Sequence, residues 1–349
     1  MDLLRPVGGP TRDVVAALAA WLDEPGEPEP LVVETSGSTG RPKRVVLSRR
    51  AVLASVTATE RRLGAAGRWL LTLPASYVAG LQVVCRSLVA GLPPLLQEEH
   101  GSFAEATAAL VSSGPADRAR FVSLVPTQLH RMLETPAEVE ALRSFHTVLL
   151  GGGPVDATLR DRAAAEGVRV VATYGSSETA GGCVYDGYAL DGVALAIGRG
   201  GRIRIGGPTL FERYEDDPEL TASVLEDGWF LTSDAGRLDE DGRLHVLGRL
   251  DDVVVSGGVN VPAPAVAARL REHPGVVAAE VLGVPDEEWG NRVVAFVVAP
   301  GGLALDEARA WVGETHPRSW APRQLVPLDE VPLLDNGKPD RLRLRGMLR

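Results

Sequence analysis

The segment Thr35-Ser36-Gly37-Ser38-Thr39-Gly40-Arg41-Pro42-Lys43 lies between two short apolar runs, Leu31-Val32-Val33-Glu34 and Val45-Val46-Leu47-Ser48. The runs predict two strands, so we expect the hydroxyl- and glycine-rich residues between them to form a turn. The backbone N–H groups of such a turn can face one side and bind an anion, and glycine lets the main chain approach phosphate oxygens. Lys43 adds a compact positive charge. The sequence therefore predicts a phosphate-binding loop, with a flexible surface turn as the alternative.

The composition is that of a protein with two domains. With 349 residues, 45% of them hydrophobic, the chain is too long for one ordinary core. Its formal charge of −10 argues against a surface that binds nucleic acids or anionic membranes. Cys85 and Cys183 form no disulfide or metal-binding pattern. No uncharged apolar run reaches about 18 residues, and the first residues lack a signal-peptide pattern. We therefore expect a soluble cytoplasmic protein with no membrane insertion.

Lysine is rare in this chain. Of the 36 lysine and arginine residues, only Lys43 and Lys338 are lysines. Such a bias indicates a high-GC genome, in which arginine codons displace lysine wherever either residue serves. The two lysines are therefore candidates for sites where a guanidinium is unsuitable, because a single ammonium group can follow one oxygen as bonds rearrange.

Strands and helices alternate along the first half of the chain. Apolar runs predict strands at 69–73, 121–125, 147–150 and 168–172. Helices are predicted to begin at residue 126 and to span 11–22 (with Thr11 as N-cap), 48–63, 79–89, 103–112 and 156–166. This alternation predicts an α/β architecture with mainly parallel sheets, in which ligands collect at the carboxyl ends of strands.

Two polar segments follow predicted strands. Gly151-Gly152-Gly153 offers backbone without side chains, on which a flat base or aryl group can pack, and a plain strand-to-helix turn is the equal alternative. The other segment is Thr173-Tyr174-Gly175-Ser176-Ser177-Glu178-Thr179. A carboxylate such as Glu178 beside hydroxyl groups can hold Mg²⁺ with phosphate oxygens as further ligands, and the ring of Tyr174 offers a face for adenine. A polar surface turn is the alternative here.

The second half of the chain has smaller modules. Alternating residues predict half-buried strands at 202–206 and 242–248. From residue 252 onward the pattern is that of a small α+β domain, with helices at 263–273 and 306–315 and strands at 276–283 and 292–299.

Five motifs resemble, in order, those of the acyl-adenylate-forming superfamily, which includes acyl-CoA synthetases, luciferases and peptide-synthetase adenylation domains. They are 35–43, 174–178, 228–236 (with Ser233 in place of the usual glycine), 248–251 and 337–341. The resemblance implies an α/β fold: a large N-terminal domain of mainly parallel β-sheets with flanking helices and a small β-subdomain, then a small mobile α+β domain. It implies domains at 1–250 and 251–349 with a hinge near Asp251. Only 34 residues precede the first motif, so we expect a truncated N-terminal region.

The resemblance also implies roles for individual residues. Lys338 would move in to neutralise the carboxylate and the α-phosphate, with Lys43 and Glu178 as the other catalytic residues and Glu178 as the Mg²⁺ ligand. Asp234 would accept the ribose hydroxyls. The implied ATP- and AMP-binding residues are Thr35, Ser36, Gly37, Ser38, Thr39, Gly40, Gly151, Gly152, Gly153, Tyr174, Gly175, Ser177, Asp234 and Arg249.

Within the superfamily, the short front region is most similar to the actinobacterial form of the o-succinylbenzoate–CoA ligases of menaquinone biosynthesis. A histidine is usual near positions 76 and 77 in such relatives, whereas this chain has Ser76 and Tyr77. The implied acyl-substrate pocket consists of Ser76, Tyr77, Gly80, Leu81, Thr127, Gly175, Ser176, Gly181 and Gly182. Gly257 and Gly258 would line a tunnel for the pantetheine arm of coenzyme A.

The implied reaction is the adenylation of a carboxylic acid by ATP with Mg²⁺, followed by thioester formation with coenzyme A. Three alternatives stay open: a ligase for another aryl or medium-chain acid, an enzyme that loads a carrier-protein thiol, and an adenylate-binding sensor without activity. Arg86 and the backbone at 151–153 are candidates to meet a second carboxylate of the acid. The sequence leaves the oligomeric state open, with a homodimer as one option.

Overall fold

The structure is a computed structural model that describes residues 3–35, 42–113, 118–334 and 339–348, with the backbone alone at Asp251. Within these ranges, no helix is long and apolar enough to cross a membrane. Six predicted site residues lie outside the described residues: Ser36, Gly37, Ser38, Thr39, Gly40 and Lys338.

The chain divides into two compact units. The first contains Met1–Ala196 and Arg204–Leu231, and the second contains Ile197–Ile203 and Thr232–Arg349. The main division therefore falls near residue 232, whereas the resemblance implies one between residues 250 and 251. The implied division concerns movement about Asp251, and it stays a prediction.

The predicted helices lie close to their expected positions. The helices of the described residues are α1 (Thr11–Asp23), α2 (Arg49–Leu63), α3 (Val78–Val89), α4 (Phe103–Ser112), α5 (Pro126–Met132), α6 (Pro136–Arg143), α7 (Ala157–Ala165), α8 (Pro218–Val224), α9 (Ala263–Arg271), α10 (Leu305–Gly313) and α11 (Arg341–Gly346). Three short helices, α6, α8 and α11, were not predicted. Thr11 is the first residue of α1 rather than its N-cap, so that prediction is wrong. The N-cap is Pro10, because its carbonyl already accepts the N–H groups of Asp13 and Val14 at 3.0 and 3.1 Å.

The strands of the described residues are mostly short in both units. They are β1 (Leu31–Thr35), β2 (Lys43–Leu47), β3 (Gly67–Leu71), β4 (Leu95–Leu96), β5 (Ala119–Leu124), β6 (Thr147–Leu150), β7 (Val170–Ser176), β8 (Gly181–Tyr185), β9 (Tyr188–Ala189), β10 (Ala194–Ile197), β11 (Arg202–Gly206), β12 (Arg213–Tyr214), β13 (Leu225–Glu226), β14 (Trp229–Leu238), β15 (Leu244–Arg249), β16 (Val253–Ser256), β17 (Val259–Pro262), β18 (Ala278–Asp286), β19 (Gly290–Val298) and β20 (Gln324–Pro327).

The central sheet of the first unit has seven strands in the order β4-β3-β5-β6-β7-β8-β9. The strands from β4 to β7 are parallel, and β8 and β9 extend the sheet with antiparallel pairing. Every residue of β6 is buried, as its uninterrupted apolar run predicts. The prediction of an α/β fold with a mainly parallel sheet is confirmed, and the carboxyl ends of β5, β6 and β7 share one edge of the sheet.

Strand β7 is longer than its apolar run predicts. It continues to Ser176, because β8 turns back on it and pairs Thr173 with Tyr185 and Ser176 with Gly181. The prediction that the segment 173–179 follows the strand is therefore wrong for residues 173–176, which belong to the strand. The polar side chains are carried on paired backbone, which holds them more firmly than a surface turn would.

The phosphate-binding loop predicted at 35–43 joins two paired strands. β1 and β2 are antiparallel, with Thr35 opposite Lys43, and β12 pairs on the other side of β2. The prediction of a strand on each side of the loop is confirmed.

The second unit has its own hydrophobic core. The sheet β18-β19-β20 and the hairpin β16-β17 pack with α9 and α10, and Val266, Leu270, Val293, Ala295 and Val312 are buried there. In the same unit β14 pairs with β15 from Asp234 to Leu238. This arrangement agrees with the predicted small α+β module, extended at its amino-terminal side by β15.

Candidate active site

Lys43, Tyr214 and Glu178 are brought together in the first unit. Lys43 begins β2, and its ammonium nitrogen lies 5.3 Å from the centroid of the Tyr214 ring. The Tyr214 hydroxyl donates a hydrogen bond of 2.7 Å to Oε1 of Glu178. Glu178 and Tyr214 are both buried. Tyr214 thus contacts both Lys43, which the sequence assigns to phosphate binding, and Glu178, which it assigns to metal binding.

Glu178 stands in a tight turn between β7 and β8. The turn is closed by Thr179, whose Oγ1 accepts the N–H of Ser176 at 2.9 Å and donates to the carbonyl of Gly181 at 2.7 Å. Ala180 has a positive φ of 50° and Gly181 one of 98°, which completes the reversal. The short turn leaves Ser177 and Glu178 little freedom, so the carboxylate has a defined position.

The electrostatics of Tyr214 favour its neutral form. Burial raises the pKa of Tyr214 well above its usual range, and the charge of Glu178 and its hydrogen bond raise the pKa further. The hydroxyl is therefore a proton donor throughout the physiological range, and Glu178 is the acceptor.

The glycines of the predicted acyl-substrate pocket allow close approach of the backbone. A Cβ at Gly80 would lie 2.2 Å from the carbonyl oxygen of Pro74, and one at Gly175 would lie 2.2 Å from that of Gly181. Gly181 itself contacts Gln82 of α3, whose Nε2 donates to the carbonyl of Ala180 at 2.8 Å. Helix α3 therefore packs tightly on the β7–β8 turn.

Two buried oxygens near this turn have no hydrogen-bond partner in the described part of the chain. They are Oγ of Ser176 and Oε1 of Gln82. Ser176 is opposite Gly181 in the β7–β8 pair, and Gln82 contacts Gly181, so both flank one residue. Buried polar atoms normally have partners, so these two atoms are candidates to contact a ligand.

The other predicted pocket residues lie at two helix starts. Ser76 and Tyr77 are half-buried just before α3, and Tyr77 is its N-cap. Leu81 is fully buried in the core, and Thr127 is half-buried in the first turn of α5. Their assignment to an acyl pocket stays a prediction.

Arg86 is a core residue at the other end of α3. Its guanidinium lies 5.1 Å from the Trp69 ring, and the side chain is buried. Arg86 follows Tyr77 by nine residues, which is about 13 Å along a helix. The helix length separates Arg86 from Ser76 and Tyr77. Its buried Nε has no hydrogen-bond partner among the described residues, and its contact with a second carboxylate stays a prediction.

The three glycines after β6 are glycines for different reasons, which are close packing at Gly151 and a left-handed backbone at Gly152. A Cβ at Gly151 would lie 2.3 Å from Oγ1 of Thr173, so that position requires glycine for packing against β7. Gly152 and Gly153 are exposed, and Gly152 has a positive φ of 79°. Their backbone is open to a ligand, and the predicted contact with a base stays untested.

In the second unit, the structure brings Asp234 and Arg249 together. They are opposite each other on β14 and β15. The N–H of Asp234 donates to Oγ1 of the buried Thr232 at 3.1 Å. The motifs that contain these two residues are separated along the chain, and strand pairing makes them neighbours.

Gly257 and Gly258 form the exposed turn of the β16–β17 hairpin. Both have positive φ values, 56° and 77°. A Cβ at Gly257 would lie 2.6 Å from the Trp289 ring, whereas no atom lies within 4 Å of one at Gly258. Hairpin geometry and Trp289 explain the glycine at 257, and the path for coenzyme A stays a prediction.

Sequence reasoning missed Tyr214 as a site residue, and it did not single out Gln82 within the segment 73–82. Tyr214 contacts Glu178 and Lys43 only because β12 pairs with β2. Gln82 has one weak signal in the sequence, which is a polar residue in the apolar run of α3.

Comparison with known proteins agrees with this geometry. A family model described as "AMP-binding enzyme" matches residues 31–209, and one described as "AMP-binding enzyme C-terminal domain" matches residues 265–338. A probable 2-succinylbenzoate–CoA ligase of Mycobacterium tuberculosis is 43% identical over 321 residues, which are 90% of this chain and 83% of the relative. A feruloyl-CoA synthase of an Amycolatopsis species is 32% identical over 88% of this chain and 67% of the relative.

Solved structures give the same picture. An o-succinylbenzoate CoA synthetase of Bacillus subtilis, in complex with its acyl-adenylate intermediate, is 27% identical with a TM-score of 0.78, and the match covers 90% of this chain and 68% of that one. Another structure of that enzyme contains ATP and a magnesium ion and has a TM-score of 0.77 at 26% identity, over 90% of this chain and 69% of that one. This chain belongs to the family of AMP-binding enzymes, whose α/β fold it shares.

Proposed function

We propose that the chain is a 2-succinylbenzoate–CoA ligase, which activates the acid with ATP and transfers the acyl group to coenzyme A. The arrangement of Lys43, Tyr214 and Glu178 carries the adenylation step, because it places a cation and a buried carboxylate beside the predicted phosphate-binding loop. The choice of acid rests on the M. tuberculosis relative, which matches 90% of the chain. The feruloyl-CoA synthase supports a ligase for another aryl acid as the second candidate.

The first step makes a mixed anhydride. A carboxylate is a poor electrophile, so its oxygen attacks the α-phosphorus of ATP, and the bond from that phosphorus to pyrophosphate breaks. Lys43 offsets charge on the departing phosphates, and we assign to Lys338 the neutralisation of the carboxylate and α-phosphate. Asp234 and Arg249 hold the ribose and phosphate, Tyr174 contacts the adenine, and Gly151-Gly152-Gly153 supports the base.

The donor set of the first unit fits Mg²⁺. Mg²⁺ is usually held by one or two carboxylates together with substrate phosphates and water. The described residues contain no cluster of three or more acidic, histidine or cysteine ligands, and Glu178 offers one buried carboxylate with a single oxygen bound to Tyr214. We propose that Glu178 holds the ion, which would supply charge stabilisation for the phosphates.

The second step transfers the acyl group. The thiol sulfur of coenzyme A attacks the acyl carbon, the bond to the AMP oxygen breaks, and the thiol proton passes to solvent. We propose that rotation about Asp251, between domains 1–250 and 251–349, withdraws Lys338 and presents Gly257 and Gly258 to the pantetheine arm. The partners are thus small molecules, and we place the reaction in the cytoplasm because the composition suits a reducing compartment.

The buried hydroxyl of Ser176, which can donate a hydrogen bond, supports a pocket for a polar aryl acid near the β7–β8 turn. The candidates for the second carboxylate of the acid stay Arg86, whose buried Nε has no hydrogen-bond partner in the described part of the chain, and the backbone at 151–153.

The decisive experiment is mass spectrometry of a reaction that contains ATP, Mg²⁺, coenzyme A and 2-succinylbenzoate. We expect AMP and the 2-succinylbenzoyl thioester. AMP without the thioester would mean that the acid is right and the acceptor thiol is wrong. If neither product forms, the proposed acid is wrong, and a panel that begins with ferulate tests the second candidate.

Lys338→Ala tests the proposed division of labour. We expect adenylation to fall by about 100-fold or more, because the charge at the α-phosphate is no longer neutralised. Thioester formation from supplied acyl-adenylate should stay within about twofold of wild type, because that step does not use Lys338. Stopped assays of each half-reaction measure the two rates. Equal loss in both would contradict rotation about Asp251.

A further inference from the structure

We propose that Tyr214 is a positioning residue for adenylation, which fixes the Glu178 carboxylate for a divalent cation and sets the place of Lys43. The inference deepens the proposed function and rests on it for the reaction that is measured.

The first support is the hydrogen bond between Tyr214 and Glu178. At 2.7 Å between two buried side chains, it is a short hydrogen bond in a region shielded from water. It engages Oε1, so the carboxylate cannot rotate freely, and we assign Oε2 to the cation. Partners that orient a ligating carboxylate in this way tune metal affinity.

The chemical type of the partner matters as much as its position. An arginine or lysine at this place would form an ion pair with Glu178 and neutralise the charge that a cation needs. A tyrosine hydroxyl donates a hydrogen bond to the carboxylate without adding a positive charge. The hydrogen bond therefore orients Glu178 without an ion pair.

The second support is the contact with Lys43. The ammonium lies 5.3 Å from the centroid of the Tyr214 ring, within the range of a cation–π interaction. One side chain thus contacts both charged groups.

Tyr214 is itself held firmly. Its backbone pairs with Val45 of β2, and its N–H donates to Oγ1 of Thr221 at 3.0 Å. The Phe211 ring packs 4.9 Å from the Tyr214 ring, and the Phe211 N–H donates to the carbonyl of Glu178 at 2.9 Å. The segment 211–214 therefore holds both the backbone and the carboxylate of Glu178.

Tyr214→Phe removes the hydroxyl and keeps the ring. We expect the rate of adenylation with 2-succinylbenzoate to fall about 10- to 100-fold, and the Mg²⁺ concentration for half-maximal rate to rise. The matched control is Tyr185→Phe, which also removes a buried hydroxyl, in this case one bonded to Thr59 at 3.0 Å in the hydrophobic core. The control should keep both kinetic values. Equal changes in the two variants, or none in Tyr214→Phe, would overturn the proposal.

A double-mutant cycle separates positioning from a general structural effect. If Tyr214 acts through Glu178, then Tyr214→Phe should have almost no further effect on adenylation in a Glu178→Gln background. Additive losses would show that Tyr214 acts by another route. Thermal unfolding of each variant shows whether the fold is retained.

Cation binding gives a readout that does not depend on the acid. Mn²⁺ binding in the presence of ATP, measured by electron paramagnetic resonance, should be about 10-fold or more weaker in Tyr214→Phe than in wild type and in Tyr185→Phe. If wild type binds Mn²⁺ and ATP but does not activate 2-succinylbenzoate, the proposed acid fails while the role of Tyr214 is still tested. Unchanged Mn²⁺ affinity would contradict that role.

Discussion

Gly175 and Gly64 are glycines for different physical reasons, and their substitution tests both. A Cβ at Gly175 would lie 2.2 Å from the carbonyl oxygen of Gly181, whereas Gly64 has a φ of 77° with no atom within 4 Å of the Cβ position. We expect Gly175→Ala to lower the free energy of unfolding by about 2 kcal/mol or more, because backbone must move. Gly64→Ala should cost about 1 kcal/mol, from the left-handed backbone alone. Urea unfolding measures both, and equal costs would contradict the steric account.

At the same scale, the sequence predicts the charged residues of the candidate site but not the tyrosine that joins them. Lys43 and Glu178 stand in segments whose hydroxyl and glycine content is visible locally. Tyr214 follows Glu178 by 36 residues, and the contact exists because β12 pairs with β2. Local patterns carry no information on such a pairing, so Tyr214 could not be assigned from the sequence.

Helix α2 shows at the scale of the element how the sequence sets both ends of a helix. Oγ of Ser48 accepts the N–H of Ala51 at 3.3 Å, and Gly64 closes the other end in the left-handed conformation. We expect Ser48→Ala to lower the free energy of unfolding by about 1 kcal/mol, because an N–H of the first turn loses its partner.

Thr57, exposed on the same helix, provides the control for this cap. Thr57→Ala should be neutral or slightly stabilising, because alanine has the higher helix propensity. Denaturation by urea compares the two variants, and a larger loss from Thr57→Ala than from Ser48→Ala would argue against the cap.

The predicted helices are found close to their expected positions, since periodicity and caps are local signals, whereas the short helices α6, α8 and α11 were missed. The strand β7 differs from its prediction, because its extension to Ser176 depends on β8 and on the turn that Thr179 closes. The polar side chains of residues 173–176 suggest a loop, yet antiparallel pairing satisfies their backbone. Strand ends thus depend on partners that the apolar pattern does not include.

At the scale of the whole molecule, the reactivity of the two cysteines measures whether the first unit is folded. Cys85 lies on α3 and Cys183 on β8, both are fully buried, and burial raises the pKa of each thiol to about 12. Since the thiolate is the reactive form, we expect the native protein to react very slowly with Ellman's reagent at pH 8 and both thiols to react after unfolding in guanidinium. Glutathione is the reference for an exposed thiol. Rapid reaction of the native protein would contradict the burial.

The same raised pKa has a consequence for stability. Unfolded thiols ionise near their ordinary pKa of 9.0, whereas the buried thiols stay protonated until about pH 12. The unfolded state therefore binds fewer protons in this window, and the contribution of the thiols to stability falls as pH rises above about 9. This fall should be absent from a Cys85→Ala, Cys183→Ala variant when urea midpoints at pH 8 and pH 10 are compared.

The division of the molecule into units was only partly predictable. The motif at Asp251 implies where movement occurs, but contacts assign β15 to the second unit, where Gly248 packs against Pro264 of α9. That packing joins residues on both sides of Asp251. The motif at Asp251 therefore predicts where the chain bends, whereas the contacts show which residues pack into one compact unit.

The second unit is assembled from two separate stretches of chain, Ile197–Ile203 and Thr232–Arg349. A gene fusion with one junction near residue 232 would exchange only the longer stretch between relatives. The second unit would then combine residues 197–203 of one parent with the carboxyl-terminal part of the other. Recombination within the family should therefore be best tolerated when both stretches come from the same parent, so inheritance of residues 197–203 is expected to be linked to that of the carboxyl-terminal part.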